Sequence, residues 1–334
     1  MKKEFKVTMA ALLMTSLLGC GTSASSAASS SSAGKTYHVT IVKQLDHASL
    51  DEIANAITAE LDAIAKENGI TIEYGEVYSG QNDQATIRQI TDQAVTEGAD
   101  AIIPIATMAA QTAVTSALGT DTKVVFAAVS DPESAELTGF DNVTGTSDAL
   151  STEVIFDMIK AADPDVKKVG LLYSQSEINS EKPIAEAKDY CDNAGIEYVS
   201  ATGNTNDEVI SAAASLVSEG VDAIFTPTDN VVMASELAIA PTFAENDIPH
   251  YAGADSFVRN GAFATCGVNY AELGTKTADL AYEAIINGTA DLDDFYLMDG
   301  GIVTVNSETA ASLGKDPQVF TGFGEVVTVE TSEE

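Results

Sequence analysis

Residues 97–106, EGADAIIPIA, decide the fold of this chain. The run AIIPIA in this stretch is continuously apolar, and so are VVFAAV at residues 124–129 and VGLLY at residues 169–173. Continuous apolar runs of about four to eight residues are typical of parallel strands that helices cover on both faces. The sequence therefore predicts a sheet of buried, parallel strands.

Short β-rich runs alternate with helical patterns from residue 37 onward. In the first predicted helix, residues 50–68, the apolar positions form one stripe, and Ser49 and Glu52 form a capping box at its start. This alternation predicts an α/β doubly wound fold. The predicted strands are 37–43, 71–78, 101–106, 123–129, 168–173, 197–201, 223–226, 250–253 and 262–268, and the predicted helices are 50–68, 83–97, 108–118, 152–162, 180–194, 207–219, 231–245 and 270–287.

A faint internal repeat divides the chain into two similar halves. EGADAI at residues 97–102 recurs as EGVDAI at residues 219–224, an offset of 122, and IEY recurs at an offset of 124. Asp131 and Asp255, each at the end of a predicted strand, are also 124 residues apart. The repeat predicts two doubly wound, Rossmann-like lobes, with strand ends that face each other across a ligand-binding cleft.

The charge balance excludes several ligand classes. The chain of 334 residues has 16 Lys and Arg against 51 Asp and Glu, a formal net charge of −35. Phosphate backbones repel such a chain, so we exclude nucleic acid as a partner. The only arginines are Arg88 and Arg259, and phosphate or dicarboxylate ligands normally recruit arginine. There is no Trp, which leaves few aromatic platforms for a sugar.

The N-terminus has the organisation of a secretion signal. A basic segment, KKEFK at residues 2–6, precedes an apolar run at residues 7–18 and the sequence Leu17-Leu18-Gly19-Cys20. This ending resembles the lipobox of bacterial lipoproteins, in which the cysteine is acylated, for example with palmitate. We predict a signal peptide at residues 1–19, a lipidated Cys20 with a flexible tether to residue 35, and a chain anchored by lipid on the extracytoplasmic face of the cell membrane. An ordinary secretory signal is the alternative.

Polar residues follow the predicted strands. Thr107 can cap the helix that it precedes, and the free N–H groups at such a helix end attract a carboxylate without any arginine. Asp229-Asn230 lies at the equivalent place in the second half, where a ligand ammonium would fit, and Asp131 is a second acceptor. Plain helix caps and turns are the alternative for each of these residues. Together the residues favour a zwitterionic ligand.

Six stretches, in this order along the chain, resemble those of the ABC-transporter substrate-binding lipoproteins of the tryptophan/tyrosine type. The likeness runs from about Val39 to Leu313. It implies the periplasmic-binding-protein type I fold, with three hinge crossings between lobe 1 (36–148 plus 262–290) and lobe 2 (149–261 plus 291–334). The stretches are PIAT (104–107), VVFAAVSDP (124–132), NVTGTSD (142–148), VGLLY (169–173), PTDN (227–230) and YAELG (270–274).

The resemblance also implies a role and a pocket. Members of this family capture a small solute, chiefly an aromatic amino acid, by hinge closure and deliver it to a membrane permease driven by an ATPase. The family's first loop often reads Glu-His-Pro-Ala-Leu-Asp, whereas residues 46–51 here are Asp-His-Ala-Ser-Leu-Asp, without the proline. The implied pocket residues are His47, Ala48, Thr107, Ala109, Ser130, Asp131, Asn179, Ser180, Asp229, Asn230 and Asp255, and Tyr173 and Phe257 are candidates for an apolar slot.

Other functions have less support in the sequence. The chain has no zinc-binding or P-loop motif, no nucleophile elbow and no dinucleotide fingerprint, so we predict neither an enzyme nor a metal or cofactor. Cys191 and Cys266 fit buried structural thiols. A binding protein for a nucleoside or a sugar, a ligand-sensing lipoprotein and an adhesive lipoprotein stay open as alternatives.

Overall fold

A computed structural model describes residues 34–332 of the chain. Short 3₁₀ turns cover Ile178–Ser180 and Pro317–Phe320. The strands are β1 (Thr36–Lys43), β2 (Thr71–Glu73), β3 (Val77–Ser79), β4 (Ala101–Ile105), β5 (Lys123–Phe126), β6 (Val143–Ser147), β7 (Lys168–Tyr173), β8 (Glu197–Thr202), β9 (Ala223–Thr226), β10 (His250–Ala252), β11 (Ala264–Gly267), β12 (Tyr296–Leu297), β13 (Ile302–Asn306) and β14 (Glu325–Val329). The helices are α1 (Ala48–Asn68), α2 (Gln84–Glu97), α3 (Thr107–Ala117), α4 (Thr152–Ala162), α5 (Glu181–Ala194), α6 (Asn206–Ser218), α7 (Asn230–Met233), α8 (Glu236–Glu245), α9 (Asp255–Arg259), α10 (Tyr270–Asn287) and α11 (Ser307–Ser312).

The strands form two sheets of seven strands each. The first has the order β12-β6-β5-β4-β1-β2, with β3 also paired to β1, and all of its strands are parallel. The second has the order β14-β13-β11-β10-β9-β7-β8, in which only β11 and β13 run antiparallel. The predicted α/β fold with two doubly wound lobes is confirmed. No helix within residues 34–332 is long and apolar enough to cross a bilayer.

The strand pairing places two of the lobe boundaries later than predicted. The chain leaves the first sheet after β6, close to the expected position. However, β11 pairs with β10 and β13 of the second sheet, although residues 262–267 were expected in lobe 1. Likewise β12 pairs with β6 of the first sheet, although residues 291 onward were expected in lobe 2. The chain therefore crosses between the sheets after residues 147, 267 and 297.

Several elements differ from the prediction for local reasons. The predicted strand 71–78 is two short strands, β2 and β3, because the chain turns at Gly75, where φ is 61°. The predicted helix 231–245 is broken at Ser235 into α7 and α8. Strand β6, VTGTS, is fully buried although it is rich in Thr and Gly, so it lacks the apolar run on which the prediction relied. Strands β12, β13 and β14 were also missed.

The core of the chain consists of apolar side chains between the sheets and their helices. Cys191 and Cys266 are buried and free, and burial raises the pKa of the Cys191 thiol to about 12. Both thiols are therefore protonated at neutral pH, as expected of structural cysteines.

Helices α1 and α10 pack closely on the first sheet, and a glycine permits this contact. A Cβ atom at Gly274 of α10 would lie 2.6 Å from the carbonyl oxygen of Ile53 and 2.7 Å from the Cβ of Ala56. Both atoms belong to α1, and a backbone oxygen cannot move away alone. Helix α1 therefore sits at a distance from α10 that only a glycine at position 274 allows.

We expect Gly274→Ala to destabilise the fold by about 1–3 kcal/mol, because overpacking outweighs the better helix propensity of alanine. Urea denaturation followed by circular dichroism measures the change. Asp279→Ala, at an exposed position of the same helix, is the control and should stay within about 0.5 kcal/mol of the wild type. Equal stability of Gly274→Ala and the wild type would contradict the close packing.

Candidate functional site

A cavity lies between the two lobes, where strands of both sheets end. The space inside it, counted together with the open solvent at its mouth, is about 390 Å³. Among residues 34–332, no group of three His, Cys, Asp or Glu side chains could hold a metal ion. The lining residues are His47, Ser49, Leu50, Ala106, Thr107, Ala128, Ser130, Asp148, Asn179, Thr228, Asp229, Asn230, Met233, Ala254, Ser256, Phe257 and Tyr270.

The cavity brings together six of the eleven predicted ligand-binding residues, namely His47, Thr107, Ser130, Asn179, Asp229 and Asn230. The other five do not line it. Ala48 is the first residue of α1, and Ala109 is buried in α3 against the core. Ser180 is buried behind the cavity and donates to Asp229. Asp131 and Asp255 also lie outside the lining of the cavity.

The carboxylate of Asp229 is fully used by protein donors. Its Oδ1 accepts from the N–H groups of Val231 and Val232 at 3.1 and 3.0 Å. Its Oδ2 accepts from Ser174 N and Ser180 Oγ, both at 2.7 Å. A carboxylate has about four lone-pair positions, so none is left for the ligand ammonium that the sequence placed here. Asp229 is the N-cap of α7, and burial followed by the charge of Glu177 raises its pKa to about 7.

Asp131 and Asp255 are each paired with a neighbouring cation. Asp131 accepts from Ser134 N and Ser134 Oγ and lies 3.4 Å from the Nζ of Lys182 on the other lobe. Asp255 forms an ion pair with Arg259 at 2.9 Å. Neither residue lines the cavity. Asp131 therefore presents no free carboxylate to a ligand in the cavity, and this geometry does not fit its predicted role as an ammonium acceptor.

The N-terminus of α3 is capped by a side chain that sequence analysis did not assign to it. Thr107 is the first helical residue and not the N-cap, which is Ala106. The Oε1 of Gln44 accepts from Met108 N at 3.0 Å and so occupies part of this helix end. Ala106 and Ala128, which both line the cavity, have positive φ angles of 76° and 53°. Strained backbone of this kind is concentrated at functional sites.

The N-terminus of α1 lacks a side-chain cap. The predicted capping box of Ser49 and Glu52 is wrong, because the helix begins at Ala48 with His47 in extended conformation at the N-cap. Ser49 therefore lies inside the first turn, and its buried Oγ has no hydrogen-bond partner. The Nδ1 of His47 is also enclosed without a partner. Both residues line the cavity.

Asp148 is a cavity carboxylate that sequence analysis missed. It follows β6, a strand that the apolar pattern did not predict, and its side chain is 7% exposed. Oδ1 accepts from Ser130 Oγ at 2.9 Å and Oδ2 from Tyr270 Oη at 3.1 Å. Each oxygen therefore keeps a free lone pair. Burial raises the pKa of this carboxyl. Correct prediction of β6 would have placed Asp148 at a strand end.

Three side-chain hydrogen bonds join the lobes beside the cavity. Gln44 Nε2 donates to Glu177 Oε1 at 2.8 Å, and His47 Nε2 lies 3.2 Å from Asn230 Oδ1. The hydroxyls of Ser130 and Thr228 are 2.8 Å apart. Glu177 is 3% exposed, and burial raises its pKa. The structure therefore has the two lobes in direct contact around the cavity.

The remaining part of the cavity wall is apolar. Leu50 and Tyr270 come from the first lobe's helices, and Met233 and Phe257 come from the second lobe. Phe257 was predicted to line an apolar slot and does so, whereas Tyr173 does not line the cavity. The site thus combines a polar side that holds a buried carboxylate with an apolar side large enough to contact a hydrophobic group.

Comparisons with known proteins identify the family of this chain. The family model described as ABC transporter substrate binding protein matches residues 38–315. A tyrosine-binding protein of Clostridioides difficile (strain R20291) is 30% identical over 322 residues, which cover 93% of this chain and 92% of the relative.

Two solved structures are similar along nearly their whole length. An ABC domain from Streptococcus pneumonia in complex with L-Trp has a TM-score of 0.79 and 27% identity, over 87% of this chain and 100% of the other. A substrate-binding protein with adhesive properties from Clostridium difficile, in its ligand-free open form, has a TM-score of 0.66 and 28% identity, over 89% of this chain and 100% of the other. The chain thus belongs to the family of ABC transporter substrate-binding proteins, whose members bind solutes and are not enzymes.

Proposed function

We propose that the protein is the extracytoplasmic receptor of an ABC importer. It captures a small zwitterion, an aromatic or apolar amino acid, in the cavity between the lobes and presents it to a membrane permease. The observation that carries the proposal is the pairing of a buried carboxylate, Asp148, with an apolar wall in one interlobe cavity. That combination matches an ammonium group next to a hydrophobic side chain.

The ammonium end of the ligand lies at Asp148. This carboxylate faces the cavity with one protein donor on each oxygen, so it can accept further hydrogen bonds. A cation at this place also compensates a charge that is otherwise buried at a cost. Asp229, whose lone pairs are filled, supports the site by holding α7 in place.

The hydrophobic side chain of the ligand lies against Leu50, Met233 and Phe257. An aromatic ring fits such a wall, since aromatic rings gain from edge and face contacts with other rings and with methionine sulfur. Relatives that bind tyrosine and L-Trp support an aromatic amino acid as the ligand of this chain.

Capture involves closure of the two lobes over the ligand. The interlobe hydrogen bonds of Gln44 and Ser130 require the lobes to be in contact. The higher TM-score to the L-Trp complex, 0.79, than to the open, ligand-free relative, 0.66, supports a closed arrangement here. Ligand contacts with both lobes stabilise the closed form, and the population shifts by the difference in affinity between the two forms.

We expect Asp148→Asn to weaken binding of tyrosine or tryptophan roughly 30-fold or more, because truncating a buried charge partner costs about 2 kcal/mol at least. The fold should not lose stability. The folded state holds the Asp148 proton more tightly than the unfolded chain, so ionisation lowers stability as the pH rises above the ordinary value of 3.8. Asparagine does not ionise, so the Asp148→Asn variant does not lose stability in this way. Isothermal titration calorimetry and thermal unfolding measure the two effects.

Asp131→Asn is the matched control for this variant. Asp131 lies outside the cavity, and its partner Lys182 is exposed, so the affinity should change less than about threefold because exposed ion pairs contribute little. A large loss with Asp131→Asn and none with Asp148→Asn would contradict the proposed ammonium site.

We expect Gln44→Ala to accelerate ligand dissociation about tenfold or more, with little change in the association rate. The change leaves the buried Glu177 carboxylate without its donor from the other lobe, at a cost of about 1–3 kcal/mol in the closed form. Stopped-flow fluorescence measures both rates. Asn82→Gly is the control, since it removes a Gln44 contact within lobe 1 and keeps the positive φ of this position. Equal dissociation rates for the two variants would exclude the interlobe bond from closure.

The lipid anchor at Cys20 is part of the same proposal, and it lies outside the described residues. The lipobox-like sequence and the Ser- and Ala-rich segment that follows support it. We expect Cys20→Ser to release the protein from the membrane fraction into the medium or the periplasm, as followed by cell fractionation and immunoblotting. Cys191→Ser, a change at a buried thiol, should leave the protein with the membrane. Retention of the Cys20→Ser variant would contradict lipid anchoring.

A further inference from the structure

The cavity wall formed by the start of α1 carries several unused hydrogen-bonding groups. Helix α1 has 21 residues and no side-chain cap, so the N–H groups of its first turn face outward with the positive end of the helix dipole. Ser49 is 3% exposed, and its Oγ has no partner. The Nδ1 of His47 is likewise enclosed and unpartnered. Both His47 and Ser49 line the cavity.

The hydrogen-bond network fixes which nitrogen of His47 is available. Met108 N donates to Gln44 Oε1, so the Gln44 amide presents Nε2 to Glu177. The second oxygen of Glu177 accepts from Asn230 Nδ2 at 2.7 Å, so Asn230 presents Oδ1 to His47 Nε2. His47 Nε2 therefore carries a hydrogen, and Nδ1 is the free position on the ring.

The groups around His47 keep its imidazole uncharged when no ligand is bound in the cavity. Burial is the largest influence and lowers the pKa of His47. The hydrogen bond with Asn230 and the charges of Asp51 and Asp46 raise this pKa, and the charge of Lys43 lowers it. Lys43 forms ion pairs with both of these aspartates, which weakens their effect on the ring. The lobe-2 groups behind Asn230 are the carboxyls of Glu177 and Asp229, whose pKa values are raised by burial.

We propose that the ligand carboxylate docks on the N-terminus of α1 and that His47 takes up a proton as it binds. The carboxylate accepts from the first-turn N–H groups, from Ser49 Oγ and from the protonated Nδ1 of His47. This inference rests on the proposed function and names the site for the second charged end of the zwitterion. It differs from the expectation at Thr107, since Gln44 already occupies part of the α3 terminus.

The proposal predicts the sign of the pH dependence. A carboxylate at Nδ1 favours the charged ring, so it raises the pKa of His47 above its value in the closed site without ligand, where burial holds it below the usual 6.5. Binding therefore takes up a proton between these two pKa values, and the affinity increases as the pH falls through the higher one.

Calorimetry of L-tyrosine and L-tryptophan binding between pH 5 and 8, in pairs of buffers with different protonation enthalpies, tests this inference. We expect the wild type to take up close to one proton at the maximum. Tyramine, which lacks the carboxylate, should bind without that uptake. The tyramine arm needs no variant, so it tests the proposal even where a substitution impairs folding.

Two variants separate the contributions of the His47 imidazole and the Ser49 hydroxyl to binding of the ligand carboxylate. His47→Gln can keep the bond to Asn230 but has no Nδ1, so it should abolish proton uptake and weaken binding about tenfold at pH 6. Ser49→Ala should weaken binding about fivefold at every pH and keep the uptake. Ser211→Ala, a change at an exposed position of α6 in the opposite lobe and outside the cavity, is the control and should stay within threefold.

Two results would overturn the inference and leave the proposed function intact. One is that the wild type binds amino acids without taking up a proton and that His47→Gln binds them with the same affinity. The other is a large loss of affinity in Thr107→Val with none in Ser49→Ala, which would place the carboxylate at α3. Failure of the wild type to bind any amino acid would overturn the proposed function, and this inference with it.

Discussion

The hydrogen bond from the Gln44 amide to the Glu177 carboxylate joins the two lobes in a place closed to water. Gln44 also fixes the start of α3, and Glu177 also orients Asn230. One buried amide thus sets the orientation of polar groups on both sides of the cavity. The contact exists only while the lobes touch, so the geometry of the cavity and the conformation of the protein are coupled through it.

Three buried carboxyls lie at or beside this cavity, and burial raises the pKa of each. Each plays a different part, set by its hydrogen bonds. Asp229 is saturated and acts as a helix cap, Glu177 bridges the lobes, and Asp148 keeps free lone pairs toward the cavity. Buried charge of this kind lowers folding stability, and it is concentrated at functional sites. The proposed ligand supplies the cation that Asp148 lacks.

The contrast between α1 and α3 shows the limit of local sequence patterns. The Ser49 and Glu52 spacing predicts a capping box, and Thr107 predicts a cap for α3. In the structure α1 begins two residues and α3 one residue earlier than predicted. Ser49 therefore lies in the first turn of α1 and does not cap it, and Gln44 caps α3. Gln44 is 63 positions from Thr107, and no local pattern links residues so far apart. The role of the α3 terminus therefore depended on that distant contact.

The sequence by itself determined the α/β class and the two-lobe organisation, because apolar runs and helical stripes are local properties of the chain. Polar strand ends and the family resemblance indicated seven of the residues that line the cavity. Only the tertiary structure decided which carboxylate is free. Asp131, Asp148 and Asp229 look alike as residues after strands, but their donors come from distant segments such as Lys182, Tyr270 and Ser174. The availability of a charged group depends on how many of its lone pairs the folded chain fills, and that number is fixed only when the segments meet.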